Sequence, residues 1–263
     1  MIILKWIRSA ATWLGGREPV VLLAFFSILM ATWSFIALAS EVIEGDTETF
    51  DVQIVRAMRQ ADDPSIPIGP KWVQETGRDA TALGGVAWLV FFTLVLTGYM
   101  WLDRKQHMAI FLLLASGSGM CVSFLLKWMF SRPRPDVVPH LSHTSTSSFP
   151  SGHSMMSAVV YLTLGTLLAT VVPRARLKIY ILVVAASLSI IVGVSRVYLG
   201  VHYPTDVFAG WAAGLIWALT CWMIARRLQK RGTVESETAS DSPKTPDILS
   251  MNSTSVDPTH RDS

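Results

Sequence analysis

Within residues 195–206 the chain places a guanidinium (Arg196), an imidazole (His202) and a carboxylate (Asp206) beside long apolar runs. Between residues 81 and 231 the acidic residues are Asp103, Asp136 and Asp206 alone, and only Asp206 stands four positions beyond a histidine. If the turn joining them is helical, His202 and Asp206 share a helix face. A carboxylate accepting from one imidazole nitrogen fixes the tautomer and leaves the other nitrogen as a nucleophile. The same residues also describe an ordinary helix start, with Pro204 at the first helical position and Asp206 favourable to the dipole. By itself this stretch leaves the two readings level. Two further groups carry chemistry: Lys127, Arg132 and Arg134, and the run Pro150-Ser151-Gly152-His153.

Composition says what positions them. Of 263 residues, 51% are hydrophobic and 16% charged, and several uncharged runs reach the roughly 20 residues needed to cross a bilayer. The expected fold class is all-α, a polytopic six-transmembrane-helix bundle, with spans at 19–40, 81–102, 108–130, 154–172, 179–195 and 203–225. Residues 19–231 form one membrane domain, flanked by an N-terminal segment (1–18) and a tail (232–263). The net charge of +3 is too small and too sorted by loop for a nucleic-acid partner. Cys121 and Cys221 fall inside apolar runs and read as small buried hydrophobes, with no disulfide framework or zinc site.

Residues 1–18 mix Ile2, Ile3, Trp6, Ile7, Trp13 and Leu14 with Lys5 and Arg8, suiting an amphipathic helix on the membrane surface. Ala37-Leu38-Ala39 resembles a signal-peptidase site, but the preceding apolar core exceeds the 7–15 residues of a signal peptide, so the first span is retained. The loop 41–80 holds nine acidic residues. Phe50, Ile54, Val55 and Met58 recur there at helical spacing and predict an interfacial helix, while Pro64, Pro67 and Pro70 interrupt regular structure. The loop is expected to be a solvated connector rather than a substrate-selecting lid. The tail is rich in Ser, Thr, Asp and Pro and is expected to be disordered.

Six spans put both termini on one side. Outside the tail, that side carries twelve Lys and Arg against eight on the other, so the positive-inside rule places the termini in the cytoplasm. The alternation then gathers Lys127, Arg132, Arg134, Ser151, His153, Arg196, His202 and Asp206 at the opposite, outer edge. Cations converging on one spot repel unless an anion sits between them. A phosphate dianion held by Lys127, Arg134 and Arg196 answers that need. Ser151 and Gly152 open an apolar helix whose unpaired N–H groups favour anions, and Gly152 allows close backbone approach. His202 can attack phosphorus in line while His153 protonates the departing oxygen and later activates water.

Each residue also has a plainer use. Lys127 and Arg132 suit snorkelling from a span end, Ser151 an N-cap, and His153 a structural hydrogen bond. His140 and His143 read as solvated loop residues. Several histidines on one face raise a metal site, yet a metal would require carboxylate or thiolate company and the surrounding cations oppose it. No metal or cofactor is therefore expected.

The segments Lys127-Trp128-Met129-Phe130-Ser131-Arg132-Pro133-Arg134-Pro135, Pro150-Ser151-Gly152-His153, and Ser195-Arg196 through His202 to Asp206 resemble the three-part signature of the type 2 phosphatidic acid phosphatase family. That family's fold is related to the vanadium haloperoxidases. The match covers about residues 81–227. The resemblance implies His202 as nucleophile, Asp206 orienting it, His153 as acid and base, and Lys127, Arg134, Ser151, Gly152 and Arg196 holding the phosphate without metal. It also implies a lipid phosphate met at the outer leaflet of the cytoplasmic membrane. Candidates are undecaprenyl pyrophosphate, taken first, phosphatidylglycerophosphate, phosphatidic acid and a lipid A phosphate. A lipid phosphoryltransferase would use the same residues. A lipid or anion transporter is the alternative of another class, but it would favour charge at mid-membrane or paired broken helices. A haloperoxidase sits poorly with six spans.

Overall fold

The computed structural model describes residues 19–139, 141 and 147–232. The proposed surface helix before Pro19, the tail beyond Gly232, and His140 and His143 lie outside the described residues. Those residues form eight helices: α1 (Pro19–Glu44), α2 (Glu48–Ala57), α3 (Lys71–Ala82), α4 (Val86–Leu102), α5 (Gln106–Met129), α6 (Gly152–Val171), α7 (Ala175–Tyr198) and α8 (Pro204–Lys230). Among them there is no strand, only an isolated bridge between Arg59 and Pro67. The chain is an all-α, multi-pass membrane protein.

Five helices, α1, α5, α6, α7 and α8, are long and apolar enough to cross a bilayer. In place of the expected straight span over 81–102 stand α3 and α4, a pair bent by 55° at a short break, which counted as one span makes the sixth crossing. Gly84 and Gly85 stand in that break, and glycine costs a helix interior about 1 kcal/mol relative to alanine. A Cβ on Gly84 would lie 3.3 Å from the Cβ of His153, so the break is also where the chain passes close to α6.

Helix α6 is central, packing against α4, α5, α7 and α8. Inside a bilayer no water drives helices together, and close packing of small residues takes over. Gly210 and Gly214, four apart on α8, meet α6 directly. A Cβ on Gly210 would stand 2.8 Å from the Ser151 carbonyl oxygen, and one on Gly214 would stand 2.9 Å from that of Met155. Polar handles in the interior find backbone acceptors: Trp217 Nε1 donates to Ala115 (2.8 Å), Trp211 Nε1 to Ser189 (3.0 Å) and the Tyr161 hydroxyl to Leu83 (2.7 Å). Cys221 is buried as expected, whereas Cys121 is exposed on the outer surface of α5. An apolar run marks a span, not the face of it turned to lipid.

The loop 41–80 departs most from expectation. Its amphipathic helix is present as α2, but the segment is no solvated connector. Val55 is fully buried in a cluster with Val138, Val197, Tyr203 and Val207, and Asp51 is also fully buried. After the prolines α3 resumes helical structure and lies on α7, where the Tyr198 hydroxyl donates to the Ile68 carbonyl at 2.8 Å. The loop is folded onto the end of the bundle that carries the charged cluster.

Candidate active site

The N-termini of α6 and α8 and the C-termini of α5 and α7 meet at one end of the bundle. The Gly210–Gly214 contact brings α6 and α8 together near their starts, and the Ser151 N–H donates to the Asp206 carbonyl at 2.9 Å. Helix α7 ends in a turn that Gly200 closes in the left-handed region (φ 72°), where glycine has no Cβ penalty. That turn delivers His202 to the start of α8.

His202 and Asp206 do meet, though not as residues on one helix face. Helix α8 begins at Pro204, so His202 lies outside it. Asp206 turns back: its Oδ2 accepts from the Tyr203 N–H at 2.8 Å and from the Ser148 hydroxyl, and stands 3.4 Å from His202 Nδ1. Ser148 Oγ is also 3.4 Å from that nitrogen. The helix-start and orienting uses of Asp206 thus coexist in one carboxylate. On the other side of the ring, Arg134 Nη1 lies 3.2 Å from Nε2. A guanidinium only donates, so Nε2 is the acceptor nitrogen and the proton belongs on Nδ1, facing Asp206. Burial pushes the His202 imidazole down to about 4; Asp206 opposes this and Arg134 and Arg196 reinforce it. The ring is therefore neutral at pH 7 with a lone pair on Nε2.

Arg134 stands against that lone pair, and Lys127 and Arg196 share this end of the bundle. Besides Nε2, Arg134 Nη1 reaches the Val201 carbonyl at 2.7 Å. Lys127 at the end of α5 donates to the Ser147 carbonyl at 3.1 Å. Its stem crosses Gly152 so closely that a Cβ there would lie 2.8 Å from Lys127 Cε. Arg196 is 2% exposed; its Nη1 donates to Thr81 Oγ1 at 2.8 Å and its Nε has no hydrogen-bond partner. His153, in the first turn of α6, is coupled electrostatically to Arg196, His202, Lys127 and Arg134. Ser151 is the N-cap of α6, buried, with its hydroxyl 2.9 Å from that of Ser154, so the side chain is engaged in the helix start. All eight sequence candidates stand at this end. Among the described residues no group of three His, Cys, Asp or Glu side chains could hold a metal ion.

Three participants, Asp51, Ser148 and Thr205, were not foreseen, and Arg132 has a use other than the span-end one expected. Arg132 does not snorkel. Its Nη1 pairs with Asp206 Oδ1 and its Nη2 with Asp51 Oδ2, each at 2.7 Å, and its guanidinium lies 4.5 Å over the Tyr203 ring. Burial would lower its pKa, but the two carboxylates outweigh it and raise it. Asp51 had a usable signal: it precedes Val55 by one turn and so shares the apolar face of α2. Ser148 and Thr205 had none, being ordinary hydroxyl residues in local sequence.

A family model described as the PAP2 superfamily matches residues 106–230. The chain is 33% identical over 200 residues to phosphatidylglycerophosphatase B of Bacillus subtilis (strain 168), covering 76% of this chain and 90% of that protein. It is 30% identical over 189 residues to lipid A 1-phosphatase of Rhizobium johnstonii, covering 61% of this chain and 73% of that protein. The crystal structure of a transmembrane PAP2 type phosphatidylglycerolphosphate phosphatase from Bacillus subtilis superposes with a TM-score of 0.71 at 29% identity, covering 77% of this chain and 98% of the other.

Proposed function

Since the chain belongs to the PAP2 superfamily and is a membrane lipid phosphatase, we propose that it hydrolyses a glycerolipid phosphate monoester through a phosphohistidine on His202. The observation that carries this reading is the placement of the His202 ring: Nδ1 is 3.4 Å from both Asp206 Oδ2 and Ser148 Oγ, and Nε2 is 3.2 Å from Arg134 Nη1, which assigns the proton to Nδ1 and the lone pair to Nε2. That is a nucleophile opposite an anion-binding group.

The phosphate dianion lies among Lys127, Arg134 and Arg196, with the α6 start at Gly152 beneath it. The unpartnered Nε of Arg196 supports this, because a buried donor left unmet costs about 1–3 kcal/mol. Arg134 exchanges Nε2 for phosphate oxygens, which bares the lone pair. Nε2 then bonds phosphorus as the bond to the lipid oxygen breaks, and His153, which enters the step protonated beside the bound dianion, gives that oxygen its proton. His202 is now cationic, its Nδ1–H held by Asp206. Water attacks phosphorus next, His153 takes its proton, the P–N bond breaks and inorganic phosphate leaves. The electron pair returns to Nε2, restoring the starting state. Lys127, Arg134 and Arg196 meet the charge on the equatorial oxygens throughout.

The bundle end carrying the site faces the exterior, following the distribution of Lys and Arg. A head group there reaches the cations while its chains stay in the bilayer. Sequence alone put undecaprenyl pyrophosphate first. The extent of the similarity to phosphatidylglycerophosphatase B, 90% of that protein, favours phosphatidylglycerophosphate instead. Phosphate release by the detergent-purified enzyme over phosphatidylglycerophosphate, phosphatidic acid and undecaprenyl pyrophosphate tests this order. The glycerolipid is expected to have the highest kcat/KM, and a higher value for the polyprenyl substrate would reverse it. A phosphoryltransferase would instead yield a phosphorylated acceptor and little free phosphate.

A further inference from the structure

We propose that Asp51, on α2 and outside residues 106–230 matched by the family model, is a positioning residue that sets how much negative charge Asp206 presents to His202. The link is Arg132. One face of its guanidinium fork pairs with Asp206 Oδ1 and the other with Asp51 Oδ2, both at 2.7 Å. Thr205 completes the joint: its hydroxyl donates to Asp51 Oδ2 (2.6 Å) and accepts from Arg132 Nη1 (2.9 Å), while its N–H donates to Asp51 Oδ1 (3.1 Å). Both carboxylates are fully buried and the Arg132 side chain is 13% exposed, so solvent and salt screen the group little.

Two carboxylates and one guanidinium carry a net charge of −1. Were Arg132 to face Asp206 alone, the pair would be neutral, and no net negative charge would stand behind Nδ1 when His202 becomes cationic. Asp51 divides the guanidinium and leaves that charge available. It does so across 155 positions of sequence, from the loop folded over the site. The inference rests on His202 being the nucleophile.

The test compares Asp51→Asn, Arg132→Gln, the double variant and His202→Ala in detergent. It measures kcat for phosphate release from phosphatidylglycerophosphate and inhibition by inorganic phosphate. Asp51→Asn makes the trio neutral and is expected to lower kcat by about 100-fold, with the phosphate inhibition constant changed by less than about twofold. The double variant restores the net charge of −1 and is expected within about tenfold of wild type. A role in packing alone predicts the reverse order, so a double variant no faster than Asp51→Asn overturns the proposal, as does a folded Asp51→Asn with unchanged kcat. Should Asp51→Asn not purify folded, the double variant, in which Asp206 keeps its charge behind Nδ1, decides. Activity within tenfold supports the proposal, and a loss beyond about 100-fold with phosphate inhibition intact overturns it. Turnover retained in His202→Ala would remove the phosphohistidine mechanism itself, whereas a dead His202→Ala beside a normal Asp51→Asn removes only this inference.

Discussion

Arg134 Nη1 rests 3.2 Å from Nε2 of His202, a cation placed against the atom proposed to attack phosphorus. The contact is informative because guanidinium has no acceptor, so it fixes which nitrogen of His202 holds the lone pair. It also implies a trade on binding: the guanidinium gives up the imidazole for phosphate oxygens, with which it makes shorter, charge-assisted bonds.

Replacing His202 by Ala is expected to abolish turnover, and His153→Ala to do the same, with both variants eluting as folded protein in detergent. Acid-quenched wild-type enzyme given labelled lipid phosphate is expected to trap label on protein, and His202→Ala to trap none. Normal turnover in His202→Ala would remove the mechanism.

Ser148→Ala deletes the hydroxyl lying between Asp206 Oδ2 and His202 Nδ1. One hydrogen bond to a charged group contributes about 1.5–3 kcal/mol, so kcat is expected to fall by roughly 10- to 100-fold. KM should hold, because the phosphate contacts are untouched. A change confined to KM would place Ser148 on the substrate instead.

The pH profile follows from the direction of the His202 shift. Its folded-state value is depressed to about 4, so the neutral, nucleophilic ring persists as pH falls from 6.5 toward 4. The acid limb of kcat/KM, expressed per dianionic substrate, is expected well below 6.5. The same shift makes folding stability full above the unfolded value of about 6.5 and lost as pH falls through about 4. An acid limb at 6.5 would contradict the first statement, and stability undiminished as pH falls through 4 would contradict the second.

Gly214→Val puts a branched side chain where a Cβ alone would stand 2.9 Å from the Met155 carbonyl oxygen. Helix α8 must then move off α6, at a cost of about 1–3 kcal/mol. A lowered Tm in detergent is expected together with lost activity, since the same contact holds together the helix starts that carry His153 and Asp206. Full activity at wild-type Tm would show that the two helix starts are held by other contacts.

Turnover in excess chelator is expected to stay within about twofold of that without it, as the proposed route assigns charge stabilisation to Lys127, Arg134 and Arg196. Loss on chelation with recovery on adding one divalent metal would require a different mechanism.

Much of this protein is legible in the residues themselves. Long uncharged runs must be helices in a bilayer, because hydrocarbon leaves backbone groups no other partners. Span parity then carries Lys127, Arg134, His153, Arg196, His202 and Asp206 to one end without any knowledge of packing. What the sequence could not supply is contact between segments whose local patterns are unremarkable. Asp51 appeared as one acid among nine in a polar loop, Arg132 as a span-end cation, and Ser148 as one hydroxyl in a serine-rich run. Only the fold of α2 against the start of α8 joins Asp51, Arg132 and Asp206, and only the turn after α7 puts His202 outside the helix that carries its carboxylate. Hydropathy is a property of each segment and survives in the sequence. A hydrogen bond between distant residues exists only once packing has fixed both ends.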